Sequence, residues 1–265
     1  MRIALGIEYD GSPYCGWQIQ DGSVTVQGFL EKALSKVANH PVRVICAGRT
    51  DTGVHGIGQV VHFDTTADRS EYSWIRGTNA NLPDTISVTW AKPVSEEFHA
   101  RFAARRRHYR YVIYNRPIRP GYLSKFVVWE YRPLNEERMA VAAKYLLGEH
   151  DFSSYRALGC QAKSPVRTIY KLSVTRKGQF VFLDLEANAF LHHMVRNIAG
   201  VLMSIGAGEK EPGWAKEVLQ YKDRTLGGVT ALPGGLYFMR IDYDRKFDLP
   251  QAPQSSIIWS ELEGE

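Results

Sequence analysis

Residues 47–62 read AGRTDTGVHGIGQVVH, and the fold turns on how this stretch is divided. Upstream, VRVICA (42–47) has the β-branched, alternating character of a strand, and downstream GQVVHFD (58–64) has it again. Of the ten residues between them, the first eight, GRTDTGVH, carry two glycines, one arginine, one carboxylate and one histidine. By residue content alone they suit a phosphate loop, a metal loop, a plain hairpin turn or a loop that holds a catalytic acid. Two strands joined by so short a loop point to antiparallel pairing, because a parallel crossover needs a dozen residues or more.

The same grammar extends in both directions. RIALGIEYDG places Ile3, Leu5, Ile7 and Tyr9 on one face of a first strand. TVQGFLEKALSKVANH then brings Val26, Phe29, Leu30, Ala33, Leu34 and Val37 onto one helical face, with Thr25 as the cap. A helix over EYSWIRGTNA and a strand over TISVTWAKPV follow. HYRYVIY is a strand, and Pro117, Pro120 and Gly121 mark a break after it. NEERMAVAAKYLLGEH is a helix capped by Asn135, with Met139, Ala142, Ala143, Leu146 and Leu147 inward. VRTIYKLSVTRKG and QFVFLDLEAN form a hairpin turning near Lys177 and Gly178, with Val181, Leu183 and Leu185 on one face. Helices over LHHMVRNIAGVLMSIGAG and PGWAKEVLQYKD and a strand over GGLYFMRIDYD complete the pattern. The expectation is an α+β fold: two similar α/β halves sharing a largely antiparallel central sheet with helices packed on it. The halves are 1–105 and 106–245, and 246–265 is a tail, surface or loosely packed.

The chain has 265 residues, a net charge of +5 and a pI of about 9.0, a balance that favours a polyanionic partner. Cys15, Cys46 and Cys160 stand far apart, which fits neither a disulfide framework nor a zinc site. MRIALGIEYDG lacks the apolar run of a signal peptide, and nothing approaches eighteen apolar residues. These features together suggest a soluble, reduced, cytoplasmic protein.

Several chemistries fall away on spacing. No lysine follows Gly53 as a Walker loop requires, and Asp51 is the lone carboxylate where an EF-hand needs several. His192 and His193 are adjacent, and on a helix they would point about a hundred degrees apart, so no metal is expected. Asp51 then reads either as the acceptor of an Asx-turn or as an acid on a rigid connection with Arg49 two residues away, where a nearby guanidinium favours the ionised, nucleophilic form. Arg196 stands near the start of an otherwise apolar helix, and a buried cation needs a partner, for which Asp51 is a candidate. Seven arginines between 101 and 119 (Arg101, Arg105, Arg106, Arg107, Arg110, Arg116 and Arg119) are interleaved with Tyr109, Tyr111 and Tyr114. That run is either an RNA-facing strand or a strand with one solvated basic face.

AGRTDTGVHG, NANLP, FHARFAARRRHYRYVIYN and NAFLHHMVRNIAGVLM, in that order, resemble the pseudouridine synthase superfamily and within it the bacterial tRNA pseudouridine synthase A family. The resemblance runs over almost the whole chain. It implies a tRNA partner, no cofactor and no metal, and a homodimer. It implies isomerisation of uridine to pseudouridine at positions 38, 39 and 40 of the anticodon stem-loop. Asp51 matches the family's nucleophile, Tyr109 the tyrosine on the target uracil, and Arg196 the arginine that pairs with the catalytic carboxylate. Arg49 is implied in ordering the RNA around the flipped nucleotide, and His55, Arg101, Arg105, Arg107 and Arg110 in binding it. Thr52 fills the motif's variable slot, and His108 stands where an arginine is common. The rivals are a catalytically silent tRNA-binding or chaperone protein on the same scaffold, which would not need Asp51, and a metal-dependent nuclease or deaminase.

Overall fold

A computed structural model describes residues 1–250; the remainder of the expected tail, 251–265, lies outside the described residues. In chain order the elements are β1 (Arg2–Tyr9), α1 (Val26–Ala38), β2 (Ile45–Cys46), β3 (His55–Asp64), α2 (Glu71–Asn79), β4 (Ile86–Val94), β5 (Arg106–Asn115), β6 (Val128–Glu130), α3 (Glu136–Lys144), β7 (Gly148–Asp151), β8 (Val166–Lys177), β9 (Phe180–Ala187), α4 (Met194–Gly206), α5 (Trp214–Tyr221) and β10 (Leu236–Asp242). The chain forms two compact units, one of Met1–Arg105 with the described chain from Tyr237 onward, the other of Arg106–Leu236.

In the first unit the strand order is β4-β1-β3-β10, with β2 paired to β3. β1 runs antiparallel to both neighbours, whereas β10 joins β3 in parallel, Tyr237 opposite His55 and Phe238 opposite Gly56. The alternation of β1 does what period two requires: Ile3, Leu5 and Ile7 are buried and pack with Leu30 and Leu34 of α1, Trp74 of α2 and Val88 of β4. Each such side chain contributes about 1.5–3 kcal/mol on removal from water. The caps hold the helices where expected, since Thr25 Oγ1 accepts from Gly28 N–H at 3.3 Å. Phe29, expected on the buried face of α1, is at its rim and meets Tyr14 edge-on at 6.0 Å. Residues 246–250 are tied to this unit through the Lys92–Asp248 ion pair and the Phe98–Phe247 contact at 5.1 Å.

In the second unit the order is β5-β9-β8-β7, antiparallel throughout, with β6 parallel to β5. The β8–β9 hairpin turns at Gly178, in the left-handed region at φ +55°. Asn135 caps α3 by accepting from Arg138 N–H at 2.9 Å. Met139, Ala142, Ala143 and Leu146 of the α3 region are buried, while Leu147, expected among them, is exposed. The fold is mixed α/β, and the sheet is largely antiparallel in both units, as the hairpin spacing predicts.

Candidate active site

The GRTDTGVH loop connects β2 to β3. Val54 N–H donates to the Asp51 carbonyl at 3.1 Å, closing a turn whose third residue, Gly53, has φ +76°. That left-handed angle is open to glycine and strained for a branched side chain. The turn itself is braced by the segment that follows β1. Before Asp51, the Thr50 hydroxyl hydrogen-bonds the Tyr9 hydroxyl at 2.8 Å, and the Thr50 carbonyl accepts from Trp17 N–H at 3.0 Å. After it, Gly11 N–H donates to His55 Nδ1 at 3.1 Å, and Gly11 packs so closely on Val54 that a Cβ would fall 1.9 Å from the Val54 carbonyl oxygen. At the loop's entry the fully buried Gln59 donates from Nε2 to the Gly48 carbonyl at 2.6 Å. Thr50, Val54 and His55 are buried, Asp51 is half-buried, and Arg49 is exposed.

His55 is only 2 % exposed. Its ring stacks on Tyr237 at 4.8 Å, and its Nδ1 lies 3.2 Å from the Asp10 carboxylate. Arg101 is exposed near the loop, and its guanidinium and that of Arg49 both act on the Cys46 thiol, which burial nonetheless pushes up to about 11. Arg105 is exposed and ion-paired with Asp244. A cleft of about 530 Å³ in the same unit is lined by Glu8, Ile57, Gln59, Trp90 and Tyr243, but neither Asp51 nor Arg49 borders it.

In the second unit Tyr109 lies on β5, 8 % exposed, edge-on to Phe190 at 4.9 Å. β5 is buried on both faces from Tyr109 to Tyr114, so the expected solvated basic face is interrupted at Arg110. That guanidinium forks onto Asp184 at 2.7 and 3.0 Å and lies 5.2 Å from the centre of the Phe182 ring. Arg107 donates to the Asn188 carbonyl at 2.7 Å. It lies close enough to Arg167 to join burial, the larger effect, in lowering the pKa of that guanidinium.

Arg196 is half-buried in the first turn of α4 and is fixed through the segment before β10. Its Nε donates to the Ala231 carbonyl at 2.8 Å, and its own carbonyl accepts from Ala231 N–H at 3.1 Å. Tyr111 joins the same segment by donating to the Leu232 carbonyl at 2.8 Å; burial drives its phenol far up, against the pull of Arg196. Asn197, 1 % exposed, holds the segment in place: its Oδ1 accepts from Thr230 Oγ1 at 2.6 Å and from Arg224 at 3.0 Å. The approach is close enough that a Cβ on Gly200 would lie 1.8 Å from the Val229 carbonyl oxygen. The helix begins at Met194, not at the histidines. His193 is the residue before it, at φ +61°, and its ring lies 4.1 Å from that of His192, so the helical geometry expected of the pair does not apply.

Tyr9, Gly11, Tyr111 and Asn197 were missed as members of these two assemblies. For Tyr111 the signal was available, because it shares the i, i+2 face of Tyr109.

Two α/β units with largely antiparallel sheet carry a lone carboxylate in a glycine turn, and comparison with known proteins gives the class, an RNA-modifying enzyme. The sequence model of the tRNA pseudouridine synthase family matches residues 6–103 and 142–244. The chain belongs to that family and is therefore an isomerase acting on tRNA uridine. It is 58% identical over 252 residues to "tRNA pseudouridine synthase A" of Coxiella burnetii (strain RSA 331 / Henzerling II), covering 95% of this chain and 97% of that one. The enzyme of the same name from Pseudomonas aeruginosa is 60% identical over 251 residues, covering 94% and 88%. That of Vibrio cholerae (strain M66-2) is 57% identical over 253 residues, covering 96% of each. Among solved structures, an archaeal box H/ACA sRNP Nop10–Cbf5 complex matches 76% of this chain and 44% of its own at 12% identity and a TM-score of 0.36, a likeness that decides nothing. Among the described residues no helix is long and apolar enough to cross a membrane.

Proposed function

We propose that the chain isomerises uridine to pseudouridine at positions 38, 39 and 40 of the tRNA anticodon stem-loop, with Asp51 as nucleophile and no cofactor. The observation that supports this most is the brace around Asp51: Thr50 before its turn and His55 after it are buried and hydrogen-bonded from outside the loop, while Asp51 itself remains half-exposed. Such rigidity is of use to a group that must meet a reacting carbon in one geometry. The uridine is drawn from its stack, at a cost of a few kcal/mol that is least in or beside a loop. Asp51 bonds to C1′ of the ribose as the N1–C1′ bond breaks, or adds to C6 of the ring before that bond breaks. The base turns, C5 bonds to C1′, the bond to Asp51 breaks to free the carboxylate, N1 takes up a proton, and the C5 proton leaves to water. Substrate and product are isomers, so no electron or group donor enters.

Tyr109 packs on the uracil, and Arg196, oriented by the Ala231 carbonyl, is the cation of the site. Arg49, Arg101 and Arg107 bind the RNA, and Arg105 joins them where its ion pair with Asp244 opens. His55 and Arg110 serve that binding indirectly, the first by holding the loop exit and the second by holding β5 to β9, because both side chains are buried against protein partners. The enzyme works in the cytoplasm as a homodimer, which sedimentation of the purified protein checks.

The test uses unmodified tRNA tritiated at C5 of its uridines, with EDTA and no added cofactor. Wild type should release tritium at a rate that Asp51→Asn lacks by at least a thousandfold, while the variant keeps its tRNA affinity within about threefold. Turnover by Asp51→Asn at the wild-type rate would remove the nucleophile assignment. Mapping the product outside positions 38–40 would remove the assigned target.

A further inference from the structure

Phe102 is 76 % exposed. A single exposed apolar side chain needs no explanation by itself. Here, however, the ring is held flat. It stacks on His99 with centroids 4.3 Å apart and planes at 29°. His99 Nδ1 accepts both the Arg101 and Phe102 N–H groups at 3.2 Å, and its carbonyl accepts from Ala103 N–H at 2.9 Å, so residues 99–103 form one tight turn. Burial first, and then Arg2 and Arg101, lowers the pKa of His99, which suits a neutral imidazole that accepts these bonds.

The turn is fastened to the sheet. His62 on β3, 1 % exposed, lies 4.8 Å from the His99 ring and accepts the Ala100 N–H at 3.1 Å. Above the platform the Arg101 guanidinium lies 5.6 Å from the Phe102 centroid. Arg49, two residues before Asp51, shares the Cys46 neighbourhood with Arg101. An aromatic ring fixed from below and largely exposed, with one guanidinium beside it and a second cation sharing that cation's neighbourhood, has the make-up of a single-strand nucleic-acid contact, in which bases stack on the ring and cations take the phosphates. A protein partner would have to place carboxylates opposite these cations, whereas tRNA, the substrate of this family, presents phosphates along its whole backbone.

We propose that Phe102 is a stacking platform for an unpaired nucleobase of the tRNA, with Arg101 and Arg49 on the adjoining phosphates. The proposal rests on reading those two arginines as RNA contacts, and it is independent of the roles of Asp51, Tyr109 and Arg196.

Phe102→Leu keeps most of the volume and removes the π face; Phe102→Trp keeps and enlarges the face. The side chain is largely in solvent, so the thermal midpoint of each variant should match wild type. Filter binding of unmodified tRNA at fixed salt should show about tenfold weaker affinity for Phe102→Leu, as expected for one lost stacked base. Phe102→Trp should bind as wild type does, and its added indole emission should be quenched when tRNA is added. In turnover, Phe102→Leu should raise KM by the same factor and leave kcat within twofold. Wild-type affinity in Phe102→Leu, or failure of Phe102→Trp to restore it, would overturn the platform. So would a Phe102→Leu variant whose only change is in the sedimentation of the free protein, which would give the ring to a contact between protein chains. Absence of tritium release from wild type would instead strike the proposed reaction and leave the binding result standing.

Discussion

At the scale of single residues, the site's rigidity comes from hydroxyls and glycines that take no part in the chemistry. Tyr9 is 4 % and Thr50 8 % exposed, and their mutual hydrogen bond is out of water. Tyr9→Phe leaves the ring packed against Trp17 at 5.7 Å but removes a partner from the Thr50 hydroxyl, at a cost of about 1–3 kcal/mol. The thermal midpoint should fall by a few degrees. Loosening one side of the turn by a fraction of an ångström should lower kcat about tenfold with KM nearly unchanged, since geometry at the reacting atom is what suffers. Steady-state kinetics and a melting curve check both, and full kcat in Tyr9→Phe would mean that Trp17 and Gly11 suffice as the brace. The sequence made Asp51 conspicuous because a lone acid between glycines is unusual in composition. It hid Tyr9 because a tyrosine ending an alternating strand looks like any other core residue. It also hid the fate of Arg110, since ion pairing with Asp184 depends on the β5–β9 register and on nothing within the arginine run itself.

At the scale of elements, the features written locally were legible and those made by distant pairing were not. α1 and α3 follow from their apolar faces and from Thr25 and Asn135, because a cap acts within three residues. The strand expected over 42–47 shrinks to the two residues of β2, the helix expected over 135–150 ends at Lys144 and gives way to β7, and β6, three residues long, has too little pattern to announce itself. A connection that pattern could not show is the tie between β3 and the turn at 98–103, made by His62. Burial foremost, with Arg2 and His99 adding, depresses its pKa from 6.5 to about 4. The sign follows directly. The unfolded chain takes up this proton as pH falls through 6.5, the folded chain only near 4, so the stabilisation is complete above 6.5 and is lost on the way down to 4. About 1.4 kcal/mol per pH unit gives a loss of about 3 kcal/mol over that window. His62→Gln retains an acceptor for Ala100 N–H and has no such proton. Urea denaturation at pH 7 and pH 4.5 should therefore show wild type losing about 2–3 kcal/mol more than the variant, and equal losses would place the buried group elsewhere.

At the scale of the whole molecule, the antiparallel character of the sheet could be read from short connections, whereas the parallel return of β10 to β3 could not. That pairing joins Tyr237 to His55 across most of the chain, and no local residue choice encodes it. It also gives His55 its stacking partner, so part of the support of the loop at 48–55 comes from the last of the described strands. Charge shows the same gap between count and arrangement. The net charge of +5 and seven arginines between 101 and 119 suggest one continuous basic stripe. Three of the seven are engaged by carboxylates, Arg105 by Asp244, Arg106 by Glu186 and Arg110 by Asp184. If those pairs persist on the RNA, at most four of the seven can neutralise phosphates. The run then contributes a slope of about −3 to −4 in log affinity against log salt, in place of about −5 to −6 for all seven. Individual variants separate the two cases. Arg101→Ala should make the slope shallower by about one, because each phosphate neutralised releases close to one counterion. Arg106→Ala should leave it unchanged within error, since that cation already has Glu186. Equal effects of the two substitutions would mean that the Arg106–Glu186 pair opens when tRNA binds.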